Sequence, residues 1–556
     1  MRDETSARVT ALNEPSTVER KPARLVELVT RYWAEAVVVA IAFLLWAPRL
    51  SGPIDLRWDA GVYYVLGASL ATGQGYRILS EPGSPEALQY PPLLPAIVAV
   101  YQRALGSTDP AVVGPWLRIS YAVLFLAYAL AVLALAKRYV RPVFAVIVVA
   151  FSLVQPTTVW VSDLLYTEIP FALISILFVL VAIDGPFSSR PRLREVASFI
   201  LATAGFLLRT AGVALLAAWV LEAVIHRRWR LLLVRSLLAV LPIIAWETYV
   251  VRVTHSYEYS HPAYAYQRAP YQFHNVSYAE SIGLIDPSHT GWRHVQSSGL
   301  MKNLQKNTRP LIESLGEALS PNGRVPSLVL SALAMVGLAM LVRRRAWMML
   351  LIVLVSAVAI WTTPWRGHFD RYLVPLTPFL VIGVAVASDD LWAVLSALPV
   401  RPVIATSGRI TLAVLLSVAL MLQTSSVQKL FYNRAVQGVS YVQGRGAVGP
   451  RFFNYNSFSR AWDLEISWIQ THSDPNAIVL THAPHLCYLR TGRRAVLPPV
   501  ERNQDRAREL LESVPVSYVI LEPLDWMPAV EKDNQRWRIV ESVDRVRLYE
   551  RVNAGE

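Results

Sequence analysis

Two carboxylates and three arginines stand where long apolar runs begin or end. Asp59 lies in Trp58-Asp59-Ala60-Gly61-Val62-Tyr63-Tyr64, just past the first run, and Glu168 in Tyr166-Thr167-Glu168-Ile169-Pro170, at the head of the fourth. Arg209 opens Arg209-Thr210-Ala211-Gly212, between the fifth and sixth runs. Arg366 and Arg371 share Trp365-Arg366-Gly367-His368-Phe369-Asp370-Arg371-Tyr372, at the start of the tenth. A positioned carboxylate removes a proton from a hydroxyl. A guanidinium stays charged at any working pH and offers phosphate oxygens a planar fork of donors. Each residue also has a structural use. Asp59 suits a helix cap, Glu168 complements the dipole of a helix opening near Pro170, and interfacial arginines snorkel to headgroups. His482-x-x-His485 has half the spacing of a zinc site but no third ligand close by in the sequence. The single cysteine, Cys487, forbids an intrachain disulfide and a cysteine-based metal cluster.

The elements that must position these groups are membrane helices. The chain has 556 residues, 54% hydrophobic and 17% charged, with mean hydropathy +0.36. A soluble chain carries about 25% charged residues. The apolar excess gathers into runs near 34–50, 115–136, 142–158, 169–183, 196–208, 211–225, 231–251, 326–342, 346–362, 372–388 and 410–426. Most have the length that crosses about 30 Å of hydrocarbon. The fifth is short and meets the sixth across Arg209–Gly212, which reads as a tight helical hairpin. Pro91–Tyr101 is too short to cross and reads as a helix lying at the interface. The chain is therefore an α-helical polytopic membrane protein of about eleven spans. That excludes a cytosolic enzyme, a secreted disulfide scaffold and a disordered chain. The net charge of +13 does not mark a nucleic-acid binder, because the basic residues sit in short clusters between the apolar runs.

Those clusters set the orientation. With the N-terminus inside, Arg20, Lys21, Arg24 and Arg31 face the cytoplasm, as do Lys137, Arg138, Arg141, the Arg190–Arg194 group, Arg227–Arg235, Arg343–Arg345, Arg401 and Arg409. The chain then divides into a cytoplasmic segment 1–33, a transmembrane part 34–429 with outer loops 51–114 and 252–325, and an extracytoplasmic domain 430–556. The second loop is dense in Tyr and His, among them Tyr264, Tyr266, His274 and Tyr278. The tail has strand-like runs at Ala477–Leu480, Val516–Leu521 and Arg545–Tyr549, with helical spacing over Ala461–Thr471 and Arg502–Ser513, so it reads as a small α/β domain. A tail with its own pattern is expected to be dispensable for folding of the membrane part.

An acid just past span one, an amphipathic stretch and Tyr90-Pro91-Pro92 leading into an interfacial helix resemble the membrane-embedded GT-C glycosyltransferases. Within them the chain looks most like the bacterial branch related to protein O-mannosyltransferases and to the aminoarabinose transferase of lipid A. The resemblance runs through the second-loop acid, the arginine-glycine hairpin, the Arg371-Tyr372 pair and the outer tail. It implies an inverting transfer of a sugar from a polyprenyl-phosphate donor to a lipid, glycan or protein acceptor at the outer face of the inner (plasma) membrane. The first-loop acid would be the general base, which lands on Asp59, with Glu168 as the second catalytic acid. Arg209, Arg366 and Arg371 would hold the donor phosphate, and Tyr63, Tyr90 and His368 would line the substrates. Related families differ on a divalent metal, so the resemblance leaves one open; it implies no other cofactor, and no acidic cluster in 51–114 points to an ion. The chain departs from the mannosyltransferases in having Asp59-Ala60 for Asp-Glu. It departs from the aminoarabinose transferases in having Tyr90 where they carry lysine.

Two other classes share parts of the pattern. A transporter or lipid-sugar flippase needs charge inside its spans, and here Glu222 and Glu247 are exceptions near span ends. A polysaccharide polymerase or ligase shares the donor but concentrates its site in a late loop.

The orientation has a direct test. A reporter fused after Tyr549 should be active only when it is an extracytoplasmic type, and cytoplasmic activity at that position would reverse the topology.

Overall fold

The computed structural model describes residues 20–552 apart from 185–188, 283–299, 398–401, 436–439, 444–445, 451–452, 456, 502 and 523–526. Most of the expected N-terminal segment (1–19) and part of the second outer loop (283–299) therefore lie outside the described residues.

The chain is a polytopic helical membrane protein with a small C-terminal sheet. Helices stand at all eleven expected positions. Six of them are long and apolar enough to cross a membrane, or seven if the bent pair Pro142–Val154 and Pro156–Ser162 is one span. The others are too short or too charged to pass by length and composition. Val213–Ile225, for example, has 13 residues and rises about 20 Å at 1.5 Å per residue, short of the hydrocarbon thickness. Length and composition by themselves thus support six or seven of the eleven expected crossings. The expected interfacial helix is Leu93–Ala104, packed on Asp59–Ala71.

Two local devices deliver the singled-out residues to one end of the bundle. At Pro156 the helix bends by 61°, because proline has no N–H to continue the ladder; Gln155 Oε1 instead accepts from Thr158 N at 3.1 Å. The chain then reaches Asp163 and Glu168 at that end. The second device is the hairpin between Pro191–Leu208 and Val213–Ile225. A Cβ on Gly212 would overlap the backbone of Gly205, so only glycine lets the turn close this tightly on Arg209.

The first outer loop is bolted to this end by a buried polar knot. Asp55 N donates to Asp163 O at 3.2 Å, and Leu165 N donates to Asp55 O at 3.1 Å. Arg118, 2% exposed, pairs with Asp163 at 2.9 Å and donates to the carbonyl of Pro53 at 3.0 Å and to that of Arg49.

The tail carries a hairpin of β1 (Ser440–Gln443) and β2 (Gly446–Pro450), then a five-stranded sheet. Its strands are β3 (Ile478–Leu480), β4 (Ala495–Val496), β5 (Val516–Leu521), β6 (Trp537–Val543) and β7 (Val546–Arg551), in the order β4-β3-β5-β7-β6. β3 runs parallel to β4 and β5, while β7 is antiparallel to β5 and β6. The three strand runs and two helices read from the sequence are all present. The sequence pattern misses β1, β2, β4, β6 and the helices Pro484–Thr491 and Pro528–Glu531, all short or weakly patterned.

The tail is also more tightly joined to the rest than its pattern suggests. One apolar core runs from Val38 and Phe125 in the bundle to Trp462, Ile466, Leu486 and Leu548 in the tail. A second packs Tyr264 and Tyr266 of the second outer loop among Leu480, Val496 and Val519. Arg57 donates to Ser459 Oγ and Asn454 O, each at 2.9 Å; Ala495 N donates to Ser80 O at 2.8 Å. Removing the tail would expose these surfaces of the outer loops, which runs against the expectation that it is dispensable.

Arg118→Ala takes a charge partner from buried Asp163 and strips donors from two carbonyls. A loss of about 3–5 kcal/mol is expected, read as a marked drop in the thermal midpoint of the detergent-solubilised protein. An unchanged midpoint would show that the knot is not what anchors the loop.

Candidate active site

Asp59 begins helix Asp59–Ala71 because of an unusual residue before it. Trp58 holds φ 54° and ψ −135°, a conformation that bulky residues rarely take and that tends to mark functional sites. The Arg57 guanidinium lies 4.9 Å from the Trp58 ring, and Trp160 meets it edge-on at 5.6 Å. Trp58 is itself 48% exposed, so an aromatic face flanks the carboxylate at the surface.

Four charged groups from four segments meet here. Asp59 Oδ2 lies 2.8 Å from the Arg371 guanidinium. Arg371 Nε donates in turn to Glu168 Oε1, which Arg209 also approaches at 3.0 Å. The four sum to zero charge. Arg371 and Glu168 are buried, at 7% and 0% exposure, while the Asp59 side chain keeps 20% of its surface. Each guanidinium has an aromatic floor: Arg371 sits 4.1 Å from the Tyr166 ring and Arg209 5.0 Å from that of Tyr372, a favourable arrangement for desolvated cations. The Tyr166 backbone is held by Tyr121, whose hydroxyl donates to its carbonyl at 2.6 Å.

The lining tyrosines meet on the other side of Asp59. Tyr63 lies one helical turn on, on the same face, and its ring meets Tyr90 edge-on at 5.0 Å. Tyr90 donates its hydroxyl to Asp59 Oδ1 at 3.2 Å and stands 3.3 Å from His274 Nδ1. His274 in turn packs against His485 of the tail, with ring centroids 4.7 Å apart and planes at 80°. His485 Nδ1 is 2.7 Å from Ser80 Oγ.

Burial sets the electrostatics of these groups. It opposes charge on Asp59, but the Arg371 guanidinium, with smaller help from His274 and His368, outweighs it and brings the carboxyl down to about 2. Burial likewise lowers His274 to about 4 against the opposing pull of Asp59, so this imidazole is neutral at ordinary pH. Burial also pushes the Tyr63 and Tyr90 hydroxyls up, with Asp59 adding to both.

Asp59, Glu168, Arg209, Arg371, Tyr63 and Tyr90 thus come together at one end of the bundle. His368 lies close enough to act on Asp59 electrostatically, and its ring stands 6.3 Å from Tyr372. Arg366 opens the 3-10 turn Arg366–His368, half-buried. The other acid between the third and fourth apolar runs, Asp163, is committed to Arg118. Sequence reasoning assigned no site role to Tyr166, Tyr372, His274 or His485. The Arg371-Tyr372 adjacency and the aromatic density around His274 were the available signals. His485 was readable only through its spacing from His482, which points to a metal and not to Ser80.

No protein-family model matches this chain, and no curated protein does. Solved structures do. ArnT from Cupriavidus metallidurans bound to undecaprenyl phosphate superposes with a TM-score of 0.52 at 13% identity, over 96% of this chain and 99% of that one. The archaeal oligosaccharyltransferase AglB from Archaeoglobus fulgidus, in complex with an inhibitory peptide and a dolichol-phosphate, gives 0.51 at 14% identity, over 88% of this chain and 69% of that one. This is the GT-C fold. At such low identity the likeness establishes the GT-C architecture, and the residues of this chain must carry the chemistry.

The Asp59–Arg371 contact makes a measurable statement about the GT-C site. Arg371→Gln removes the charge that holds Asp59 down while burial remains. The Asp59 pKa should therefore rise from about 2 to above the ordinary carboxylate value. The protonated carboxyl stretch in infrared difference spectra, assigned with Asp59→Asn, would report it, and no upward movement would mean that Arg371 does not control this carboxylate.

Proposed function

We propose that this protein is an integral-membrane glycosyltransferase. It takes a sugar from a polyprenyl-phosphate donor and transfers it, with inversion, to an acceptor hydroxyl at the outer membrane face. The observation that carries this reading is the pairing of a partly exposed carboxylate, Asp59, with a buried guanidinium, Arg371, at 2.8 Å. The donor class is supported by the undecaprenyl phosphate in the ArnT structure and the dolichol-phosphate in the AglB structure.

The chemistry follows from the charges. A donor phosphate brings negative charge to Arg209 and Arg371, with Arg366 and His368 at the rim. Arg371 then shares its fork with phosphate, and Asp59 loses part of the partner that made it a weak base. As the acceptor oxygen attacks the anomeric carbon from the face opposite the phosphate, Asp59 takes its proton. The bond from that carbon to the phosphate oxygen breaks, and the phosphate leaves with the electron pair, stabilised by the guanidiniums. Glu168 has no exposed surface, so it acts through the two arginines, fixing their orientation.

A divalent ion is not needed for this charge balance. Asp59 and Glu168 are each matched by a guanidinium, and among the described residues no three His, Cys, Asp or Glu side chains gather to hold one. The transfer as described runs through these side chains, and a divalent ion stays open.

Two substitutions should fail differently. Asp59→Asn keeps size and polarity but loses the basic lone pair, so donor binding should survive while single-turnover rate falls by roughly 10²–10⁴. Arg371→Ala should weaken donor binding and slow turnover together, because its charge meets phosphate before and during bond cleavage. Release of polyprenyl phosphate from a panel of polyprenyl-phosphate sugars is the assay. Asp59→Asn at the wild-type rate would overturn the assignment of the base.

A further inference from the structure

Asp59 is joined on its far side to a chain of buried groups that the transfer itself does not use. Its Oδ2 faces Arg371, while its Oδ1 accepts from Tyr90. The same Tyr90 oxygen stands 3.3 Å from His274 Nδ1. His274 is 6% exposed, with the Phe273 ring packed between it and Trp365. The ring orientation is over-determined: Tyr63 holds Tyr90 from the side, and His485, fixed by Ser80, holds His274. Such preorganisation around one hydroxyl and one imidazole exceeds what packing requires.

We propose that His274, reached through Tyr90, receives the proton that Asp59 takes from the acceptor. The proposal rests on the reading of Asp59 as the base. With donor and acceptor covering the exposed part of Asp59, the Tyr90 hydroxyl is the polar exit. Asp59 Oδ1 accepts the proton, the new O–H turns about its C–O bond to donate to Tyr90 Oη, and Tyr90 passes its own proton to His274 Nδ1. Tyr90 ends neutral, Asp59 is again a carboxylate, and His274 becomes the imidazolium until the products leave. This requires the His274 tautomer with its hydrogen on Nε2.

The direction of transfer is consistent with the surroundings. The groups facing His274 are Asp59 at the head of its helix, Tyr90 from the first outer loop and His485 from the tail. In the resting site His274 at about 4 is a stronger base than Asp59 held at about 2; a donor phosphate that draws on Arg371 raises Asp59 and narrows that gap. His274 is neutral and ready above about pH 4, and starts already protonated below it.

The test uses the full-length protein with a polyprenyl-phosphate sugar it accepts. His274→Gln and Tyr90→Phe should each lower the single-turnover rate by about 10² with donor affinity unchanged. The double variant should be no slower than either single one, since both break one path. Added imidazole should restore part of the rate of His274→Gly, and ring-substituted imidazoles should do so in order of basicity. The wild-type rate should fall as pH nears about 4, where His274 titrates, and that limb should vanish in His274→Gln. A wild-type rate in His274→Gln or Tyr90→Phe, with Asp59→Asn still crippled, sinks the relay and leaves the base standing. A slow His274→Gly that imidazole cannot rescue makes His274 a packing residue and also overturns the proposal. Full activity in Asp59→Asn removes both readings at once.

Discussion

The ion quartet of Asp59, Arg371, Glu168 and Arg209 is the constraint around which one end of the helical bundle is arranged. Two cations and two anions in a largely buried space cancel, and any one of them alone would carry a heavy desolvation cost. Their backbones come from a helix start after an outer loop, a helix start after a bent span, a hairpin between two short helices and a turn ahead of a late span. Each of those segments must therefore stop at the right height, and the surrounding structure supplies the means. The break at Pro156 and the Gly205–Gly212 approach are two such means; the polar knot of Arg118, Asp163 and Asp55 is a third.

Neutrality within the quartet also bears on how the proposed activity would handle a charged lipid. The cluster is charge-neutral before a donor arrives, although Glu168 Oε2 and an Arg209 Nη lack hydrogen-bond partners. In the proposed reaction a phosphate would compete for guanidinium donors already oriented by Glu168 from behind and by the faces of Tyr166 and Tyr372. Preorganised charge of this kind stabilises a leaving phosphate without the cost of reorganising at the moment of reaction.

The tail enters the site by the same logic of shared burial. Its sheet shelters Tyr264 and Tyr266 of the second outer loop, and helix Pro484–Thr491 rests on the first turn of Asp59–Ala71. There Gly61 leaves room for His485, since a Cβ on Gly61 would sit 3.1 Å from that residue's own Cβ. The outer loops thus acquire a fixed roof from residues more than 400 positions later.

Much of this was legible in the residues themselves. Apolar run length located the helices, because crossing hydrocarbon demands it, and the local order of Asp59, Glu168, Arg209 and Arg371 marked a shared face. The tail's strands showed through their β-branched runs. The count of crossings was less legible, since short helices such as Val213–Ile225 share the composition of spans without their length. The sequence favoured Glu168 over Asp163 through its place at a helix start, and the structure adds the physical difference: Arg118 approaches Asp163, and two other arginines approach Glu168. The contact of Tyr90 with His274, and of His485 with Ser80, was hidden. Run length and local spacing are properties of neighbouring residues, whereas these pairings join residues 184 and 405 positions apart and exist only once packing has closed the chain upon itself.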